Sequence, residues 1–394
     1  MDNTNAHLFA PCPRGLEAAL AAELRELGAT ALDPTPGGVR FQATPLVCCR
    51  ANLQSRIASR ILWQISCTPY RTEQDIYDAA MAIRWQEWFA PHRTIKVKVS
   101  AQQCPLRSLD FVTLRIKDAV CDRFQRARGT RPSVDTHAPD ILIAAYLDRD
   151  TCTLYVDTSG EPLFKRGWRR SSGEAPLREN LAAGILHLTG WTPGTVLFDP
   201  LCGSGTFVIE AALMASRIAP GLGRRFALEH LHLFDRGRFE SLRDELRAAI
   251  VPPDRGLIHA ADRSEQALRA VRANLEAAGC AEAVTLHRGD ALQQLAPADS
   301  GILVTNPPYG HRMGDREALE AFYPLFGDRL KHRYFGWTAY ILTADLKLPG
   351  KLRLAPARRT PLFNGAIECR LFEFRMVAGS HRKPRPGTAS SSTA

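Results

Sequence analysis

The chain lacks most of the signatures that would assign a protein directly. Its ten cysteines include no Cys-x-x-Cys spacing, and the adjacent pair Cys48 and Cys49 suits neither a zinc site nor a simple disulfide. No apolar run approaches ~18 residues, so we expect no membrane span. The N-terminus also lacks the basic region and apolar stretch of a signal peptide. We therefore expect a cytoplasmic protein with reduced cysteines and no bound metal.

Two nucleotide-binding signatures are also absent. The chain has no Gly-x-x-x-x-Gly-Lys-Ser/Thr segment, which excludes a P-loop. The segment Phe198–Thr206 does place Gly203 and Gly205 between an apolar run and a helical pattern, but Val208 stands where a dinucleotide-binding motif has its third glycine. Asp199 in the same loop would repel a pyrophosphate. A dehydrogenase is therefore disfavoured, and the cationic, amino-acid-bearing ligand S-adenosylmethionine fits the loop better.

Basic residues are in moderate excess. The 394 residues include 51 Lys+Arg and 41 Asp+Glu, which gives a net charge of +10, while 45% hydrophobic content is that of an ordinary globular chain of two or three domains. Between residues 93 and 131, ten basic residues stand against three acidic ones, a local charge of +7. A second cluster, Lys165–Arg170, interleaves Trp168 with cations. Both clusters favour an anionic partner.

The most informative stretch follows a short apolar run, Gly301–Thr305, and reads Asn-Pro-Pro-Tyr-Gly. Proline cannot continue a ladder, so the pattern predicts a strand that stops at Thr305 with Asn306 at its carboxyl end. Ligands bind at that edge of an open α/β sheet. The Asn306 side chain and the Pro307 carbonyl offer two acceptors, and Tyr309 offers a flat face. This arrangement suits a planar group that bears an exocyclic amine.

The C-terminal half alternates strand and helix patterns, which predicts a parallel sheet covered on both faces. Asp199, Asp262, Asp290 and Asn306 each end one of four successive predicted strands. Because the carboxyl ends of parallel strands share one edge, we expect these side chains to lie together. Asp262 would accept hydrogen bonds from the ribose hydroxyls of the cofactor, and Asp290 would accept a hydrogen bond from its adenine amine. Asp199 and the glycine loop would place the methionine portion.

Several segments of the chain resemble bacterial THUMP-domain RNA methyltransferases. They are RGWRRSSGEAPLRENLAAGIL (Arg166–Leu186), FDPLCGSGTFVIEAA (Phe198–Ala212), IAPG with RRF (between Ile218 and Phe226), NPPYG (Asn306–Gly310) and LFNGAIECRLF (Leu362–Phe372). The resemblance is to the rRNA guanine-N2 methyltransferases whose homologue forms the N-terminal half of a longer bifunctional large-subunit enzyme. The second half of that enzyme has no counterpart in these 394 residues.

The resemblance implies an α/β fold class, with a C-terminal Rossmann-like methyltransferase sheet and N-terminal ferredoxin-like and THUMP α+β modules. The expected boundaries are 1–60 for the ferredoxin-like module, 61–158 for THUMP, 159–176 for a basic linker, 177–378 for the methyltransferase domain and 379–394 for a disordered basic tail. The resemblance also implies that Arg178 and Glu179 face the cofactor. The other predicted cofactor contacts are Asp199, Pro200, Cys202, Gly203, Ser204, Gly205, Thr206, Asp262, Arg263, Asp290, Ala291 and Asn306.

RNA contacts are predicted from the two basic clusters. A helix is expected over 108–128 with a basic outer face, and the linker combines cations with an aromatic ring, which suits phosphate and stacking contacts. The predicted RNA-binding residues are Arg115, Lys117, Arg123, Lys165, Arg166, Trp168, Arg169 and Arg170. An ordinary solvated helix face and a linker that is basic for solubility are the alternative interpretations.

The resemblance implies methylation of the guanine N2 amine in RNA, with 23S rRNA as the expected substrate and rRNA favoured over tRNA. The predicted catalytic residues are Asn306, Pro307, Pro308 and Tyr309, with the extruded base lying on the tyrosine ring. Guanine-N2 methylation of tRNA and adenine-N6 methylation are the alternative activities, because the Asn-Pro-Pro-Tyr motif does not distinguish the two exocyclic amines. A non-catalytic RNA-binding assembly factor is the alternative from a different class. The sequence does not set the oligomeric state.

Overall fold

The computed structural model describes residues 5–170, 177–307 and 313–377. Three predictions fall on other residues: the disordered tail over 379–394, the last residues of the linker, and the placement of Pro308 and Tyr309. These lie outside the described residues. Within the described residues, no helix combines the length and the apolar character needed to cross a bilayer.

The N-terminal half of the chain forms one mixed seven-stranded sheet. Its strands are β1 (Ala6–Pro11), β2 (Thr30–Thr35), β3 (Gly38–Ala43), β4 (Leu62–Pro69), β5 (Ile95–Ala101), β6 (Ile141–Leu147) and β7 (Thr151–Asp157). The spatial order is β2-β3-β1-β4-β7-β6-β5, and β5 with β6 is the parallel pair. Because β1 pairs with β4, with Leu8 opposite Trp63, the predicted ferredoxin-like and THUMP regions share a continuous sheet.

Helices cover this sheet through regularly spaced apolar residues. They are α1 (Glu17–Glu26), α2 (Pro45–Gln54), α3 (Glu73–Ala82) and α4 (Leu109–Arg128). In α4 the residues Val112, Ile116 and Phe124 are fully buried, at the spacing of one helix face. The helix begins where the Ser108 side chain accepts a hydrogen bond from the Phe111 N–H at 3.1 Å, and it ends at Gly129 in the left-handed conformation.

The C-terminal half forms a second seven-stranded sheet, of Rossmann-like type. Its strands are β8 (Leu197–Asp199), β9 (Ile258–Asp262), β10 (Val284–Arg288), β11 (Gly301–Thr305), β12 (Trp337–Thr343), β13 (Arg358–Asn364) and β14 (Ile367–Arg375), in the order β10-β9-β8-β11-β12-β14-β13. The first five in that order are parallel, and β14 is antiparallel to both its neighbours. The predicted fold class is confirmed.

The helices of this half pack on both faces of the sheet. They are α5 (Glu179–Leu188), α6 (Thr206–Ala215), α7 (Arg236–Ala248), α8 (Glu265–Ala277), α9 (Met313–Arg333) and α10 (Leu348–Leu352). The α6 side chains from Phe207 to Leu213 are almost all buried, as expected for a helix between a sheet and another domain. In α8, by contrast, apolar Leu268, Val271 and Leu275 alternate with exposed polar residues.

The two halves pack directly on each other. Helix α5 approaches α1 so closely that a Cβ built on Gly184 would lie 2.3 Å from Leu16 Cδ1. The Arg56 guanidinium reaches from the N-terminal half to the carbonyl oxygens of Leu213 and Ile218, at 3.3 and 2.7 Å. The glycine at 184 is therefore required by close packing, and Arg56 binds carbonyls at and just beyond the carboxyl end of α6.

Several element predictions need correction. The sequence pattern predicts one helix over 75–89, but α3 ends at Ala82, because Ile83 is extended and the buried Trp85 ring donates its N–H to the Ala80 carbonyl at 2.8 Å. The pattern also predicts a helix over 46–59 and a strand over 353–359, but α2 ends at Gln54 and β13 begins only at Arg358. Strand β2 and helix α7 were not predicted. The β2 sequence TALDPT has too few apolar residues to show a strand pattern, whereas α7 was missed although Phe239, Leu242 and Leu246 stand at helical spacing.

Candidate active site

Four polar residues occupy the carboxyl ends of neighbouring strands. Asp199 and Asp262 are the last residues of β8 and β9, Asp290 follows β10 by two residues, and Asn306 follows β11 directly. The sheet order arranges them as Asp290, Asp262, Asp199 and Asn306. Three strand spacings of ~4.8 Å make this row about 14 Å long. The predicted juxtaposition is thus present in the fold.

Asp199 is the most buried acid of this row, with 2% of its surface exposed. Burial raises its pKa to about 7, and the nearby Asp262 charge adds to the rise. The Thr305 side chain and the Leu201 N–H, which lies 3.1 Å from Oδ1, oppose the rise in pKa. The described contacts of this carboxyl group include no positive charge. Asp199 is therefore poised to gain a charge when a cation is placed beside it.

The glycine loop between β8 and α6 is held by backbone hydrogen bonds. The Cys202 N–H donates to the Ala261 carbonyl at 3.0 Å, and the Gly203 N–H donates to Asp262 Oδ2 at 3.1 Å. Gly203 and Gly205 have φ of 53° and 83°, a region that favours glycine. A Cβ on Gly205 would also meet Val271 at 2.9 Å. The loop therefore requires glycine at 205 for both conformation and packing.

Arg169 holds the glycine loop from the opposite side. Its Nε donates to Glu179 Oε1 at 2.7 Å, and its Nη1 donates to the Ser204 hydroxyl at 3.2 Å. Its Nη2 donates to the Thr206 hydroxyl and to the Leu177 carbonyl, both at 3.1 Å. The guanidinium of Arg169 therefore supports the glycine loop, and its contact with RNA stays a prediction.

Arg166 and Trp168 were also predicted to bind RNA, and the structure contradicts both assignments. The Arg166 side chain is 2% exposed and pairs with the fully buried Glu210 of α6 at 3.4 Å. It also donates to the carbonyls of Leu163 and Arg56, at 2.7 and 2.6 Å. Trp168 is 3% exposed. A guanidinium and a ring without access to solvent cannot reach a nucleic acid, so the described part of the linker is a packed structural segment.

The remaining predicted RNA contacts lie at the surface to different degrees. Lys165 and Arg170 are exposed, although Lys165 pairs with Glu161 at 2.9 Å. On α4, Arg115 packs over the Tyr77 ring at 4.2 Å, and Lys117 pairs with Asp118. Arg123 is half-buried. Contact of these five residues with RNA stays a prediction.

The other predicted site residues are placed as follows. Glu179 is buried against Arg169, whereas the exposed Arg178 lies over the Phe164 ring at 5.1 Å. Pro200, Ala291 and Pro307 are buried, Asp290 and Asn306 are half-buried, and Arg263 is exposed. Asp290 Oδ1 accepts the Leu292 N–H at 2.8 Å. Burial also raises the pKa of Cys202, which marks it as a neutral packing residue of the loop.

Sequence reasoning missed Asn274, a fully buried polar residue of α8. Its Nδ2 donates to the Ser204 carbonyl at 3.2 Å, while its Oδ1 accepts the Arg170 N–H at 2.8 Å. It therefore connects the linker to the glycine loop. A signal was available, because an asparagine within the apolar stripe of an amphipathic helix requires buried hydrogen-bond partners.

The edge fits S-adenosylmethionine on the chemistry of its donors and acceptors. A Cβ on Gly203 would meet no atom within 4 Å, so there is open space in front of the loop. The first N–H groups of α6 begin at Gly205 without a side-chain cap, which suits a carboxylate. Asp199 suits a cationic portion, and Asp262 keeps acceptor capacity after binding two N–H groups.

A Rossmann-like sheet with this loop and this row of acids defines an S-adenosylmethionine-dependent methyltransferase. Residues 166–373 match the family model described as RMKL-like, methyltransferase domain. Residues 70–157 match the THUMP domain, and residues 7–62 match the RlmL ferredoxin-like domain. The chain therefore belongs to the family of RMKL-like methyltransferases that carry these two N-terminal domains.

Individual relatives agree with this assignment. The protein slr0064 of Synechocystis sp. is 34% identical over 95% of this chain and 97% of its own length, and its name describes it as an RNA methyltransferase. The ribosomal RNA large subunit methyltransferase K/L of Shewanella oneidensis is 36% identical over 96% of this chain, which spans 54% of that protein. The solved structure of SMU.472, complexed with SAH, has a TM-score of 0.86 and 28% identity over 96% of this chain and 100% of its own.

Proposed function

We propose that the protein transfers a methyl group to the exocyclic N2 amine of a guanine in RNA, with large-subunit ribosomal RNA as the substrate class. The order of the four strand ends carries this proposal. Along the row, Asp290, Asp262 and Asp199 suit the adenine, the ribose and the methionine portion of S-adenosylmethionine, in that order. The next position along the row is Asn306. The names of the Synechocystis and Shewanella relatives support RNA as the substrate.

The chain's own residues hold the methyl donor at a fixed position. When bound, S-adenosylmethionine supplies an activated methyl group on a sulfonium. Asp262 accepts hydrogen bonds from the ribose, Asp290 orients the adenine, and the α6 amino terminus receives the carboxylate. The pKa of Asp199 falls as it becomes charged beside a cation. Arg169 and Asn274 keep the loop in place, so that little reorganisation is needed when the acceptor arrives.

The acceptor amine would be held by Asn306 and by the Pro307 carbonyl. Asn306 directly follows Thr305 at the end of β11, and β11 pairs with β8, whose last residue is Asp199. Two oxygen acceptors that bind both amine hydrogens would direct the nitrogen lone pair toward the methyl carbon. The carbon–nitrogen bond would form as the carbon–sulfur bond breaks, S-adenosylhomocysteine would leave, and the proton lost by the amine would pass to water. The chemistry then depends on position and electrostatics rather than on a strong base. Stacking on Tyr309 is part of the same proposal.

The Asn306→Ala variant tests this role. We expect methyl transfer to fall at least ~100-fold, which is typical when one aimed polar group is removed. Affinity for S-adenosylmethionine, measured by calorimetry, should stay near that of the parent protein. Asn306→Gln retains the amide but displaces it, and we expect it to be similarly inactive. Unchanged turnover in either variant would refute the assignment.

Nucleoside mass spectrometry separates the proposed target from its rivals. A strain that lacks the protein should lose N2-methylguanosine from 23S rRNA. Loss of N2-methylguanosine from tRNA would indicate that tRNA is the substrate. Loss of N6-methyladenine would indicate that adenine is the target base. Absence of any cofactor binding by calorimetry would favour a non-catalytic RNA-binding assembly factor.

A further inference from the structure

The β13–β14 hairpin extends past the carboxyl edge of the sheet. Thr343, the last residue of β12, pairs with Arg370, while β14 begins three residues earlier at Ile367. At ~3.3 Å per residue, the hairpin turn projects about 10 Å beyond the end of β12. This turn is therefore a wall on the side of the edge that carries the proposed acceptor site.

Two arginine–aromatic pairs from different parts of the chain line this wall. Arg14 of the N-terminal module lies over the Phe363 ring at 5.3 Å, and Arg178 lies over the Phe164 ring of the linker at 5.1 Å. We call these four residues the hairpin strip. Both arginines are exposed, and both phenylalanines are half-buried. The strip therefore offers cations and planar groups to solvent.

The hairpin is fixed against both neighbours. A Cβ on Gly15 would lie 2.3 Å from the Pro361 carbonyl oxygen, and a Cβ on Gly365 would lie 3.2 Å from Arg178 Nη2. The strip is consequently continuous from Arg14 through the hairpin to Arg178. Arg178 directly precedes Glu179, which pairs with the loop-binding Arg169. One end of the strip thus reaches the cofactor loop.

The charge of the strip is not cancelled by neighbouring acids. Among the ion pairs of the described residues, none involves Arg14 or Arg178, whereas Arg169 and Arg243, which also stack on rings, pair with glutamates. The nearby Glu17 accepts the N–H groups of Gly15 and Gly37, and Glu368 pairs with Arg370 at 2.8 Å. The two guanidiniums are therefore available to an anionic partner.

We propose that the hairpin strip binds the unpaired RNA segment that flanks the target nucleotide. The inference rests on the proposed function, and it replaces the buried linker residues as the contact near the site. A guanidinium that stacks on a ring with one face can stack on a base with the other, while its N–H groups bind phosphate. Duplex RNA cannot present splayed bases to such a surface, so the strip selects single-stranded flanks.

The test uses two RNAs with the full-length protein: a stem–loop that presents an unpaired guanine, and a continuous duplex of equal length. We expect Arg14→Gln and Phe363→Leu each to weaken stem–loop binding about tenfold, since stacking on one base contributes ~1–3 kcal/mol. The double variant should be little worse than either single variant, because the two side chains act as a pair. Arg14→Lys keeps the charge and should recover only part of the affinity.

The matched control is Arg255→Gln. Arg255 is an exposed arginine that pairs with Glu282 at the amino ends of β9 and β10, on the opposite edge of the sheet. We expect this control to bind both RNAs as the parent does. Calorimetry with S-adenosylmethionine checks that every variant is folded, with an unchanged Kd.

The outcomes separate the strip from the function itself. If the parent protein methylates the stem–loop and the strip variants bind this RNA as tightly as the parent does, the RNA-binding role of the hairpin strip is refuted, while the proposed function is supported. Equal loss of duplex and stem–loop binding would refute selection of unpaired flanks. If the parent binds cofactor and RNA but transfers no methyl group, the proposed function fails, while a tenfold loss in the strip variants still supports the strip.

Discussion

Asp199 predicts a pH dependence of cofactor binding. Its pKa in the ligand-free protein is raised from 3.8 to about 7, chiefly because burial disfavours the charged carboxylate. A ligand that brings a positive charge to this group favours the ionised form and lowers its pKa again. Binding is then coupled to the release of a proton whenever the free protein holds Asp199 protonated.

The expected magnitude follows from the free-protein pKa. If binding lowers the pKa below 5, the observed affinity is at its full value above pH 7 and falls about tenfold for each unit below it. Between pH 8 and pH 5 the loss is about a hundredfold. The shift of about 3 units corresponds to roughly 4 kcal/mol of disfavoured ionisation, at 1.36 kcal/mol per unit.

The same shift predicts how folding stability depends on pH. Below about pH 4 the carboxyl group is protonated in both folded and unfolded chains. Between pH 4 and 7 the folded protein retains a proton that the unfolded chain has lost, so the contribution of Asp199 to the free energy of unfolding declines as pH rises through this window. At pH 8 the decline is complete, at about 4 kcal/mol.

Calorimetry in buffers of different ionisation enthalpy would measure both affinity and proton release. We expect close to one proton released at pH 6 and almost none at pH 8. Asp199→Asn removes the titrating group, so its weaker binding should be nearly independent of pH. Its urea stability should decline less than that of the parent between pH 4 and 7, because the buried Glu23 and Asp157 still titrate from raised pKa values. A parent protein that binds equally well at pH 5 and pH 8, with no proton release, would refute this account of the site.

Two further predictions concern the arginines of the linker. Arg169→Gln should weaken S-adenosylmethionine binding at least ~10-fold by freeing the glycine loop, with RNA affinity unchanged; the reverse pattern would support its predicted RNA role. Arg166→Ala should lower the free energy of unfolding by about 3–5 kcal/mol, because Glu210 is left buried without its partner. The exposed neighbour Lys165 supplies the control, since Lys165→Ala should change stability by less than ~0.5 kcal/mol in the same urea titration. Equal stabilities for the two alanine variants would contradict the role of the buried pair.

The strand ends of the active edge could be predicted because their causes are local. Gly301–Thr305 is a strand in the structure with the bounds expected from the sequence, since proline stops the ladder directly after Asn306. The sequence pattern likewise predicts helices that begin at Phe207 and Ser264, and α6 and α8 begin within one residue of these positions. Because parallel strands place their carboxyl ends on one side, correct strands were sufficient to predict the row of acids.

The environment of the linker could not be predicted because it depends on distant packing. Arg166 and Arg170 stand in the same basic cluster and have similar neighbours in the sequence. The structure buries the first against Glu210, 44 residues away, and exposes the second. The partners that decide this lie on α6 and on the Arg56 backbone, which only the folded chain brings together. Local charge therefore predicted an anionic partner but not the residues that contact it.

The three arginines of the linker show how burial divides one charge cluster among different functions. Arg166 connects the N-terminal half to α6, Arg169 connects the linker to the glycine loop, and Arg170 carries its charge at the surface. The first two charges are neutralised by Glu210 and Glu179, so they add nothing to the field that an RNA phosphate experiences. The positive field near the active edge must then come from exposed, unpaired guanidiniums. Among the ion pairs of the described residues, Arg14, Arg178 and Arg170 have none, so the proposed contact with RNA falls on the hairpin strip and on the one exposed arginine of the linker rather than on the whole basic stretch.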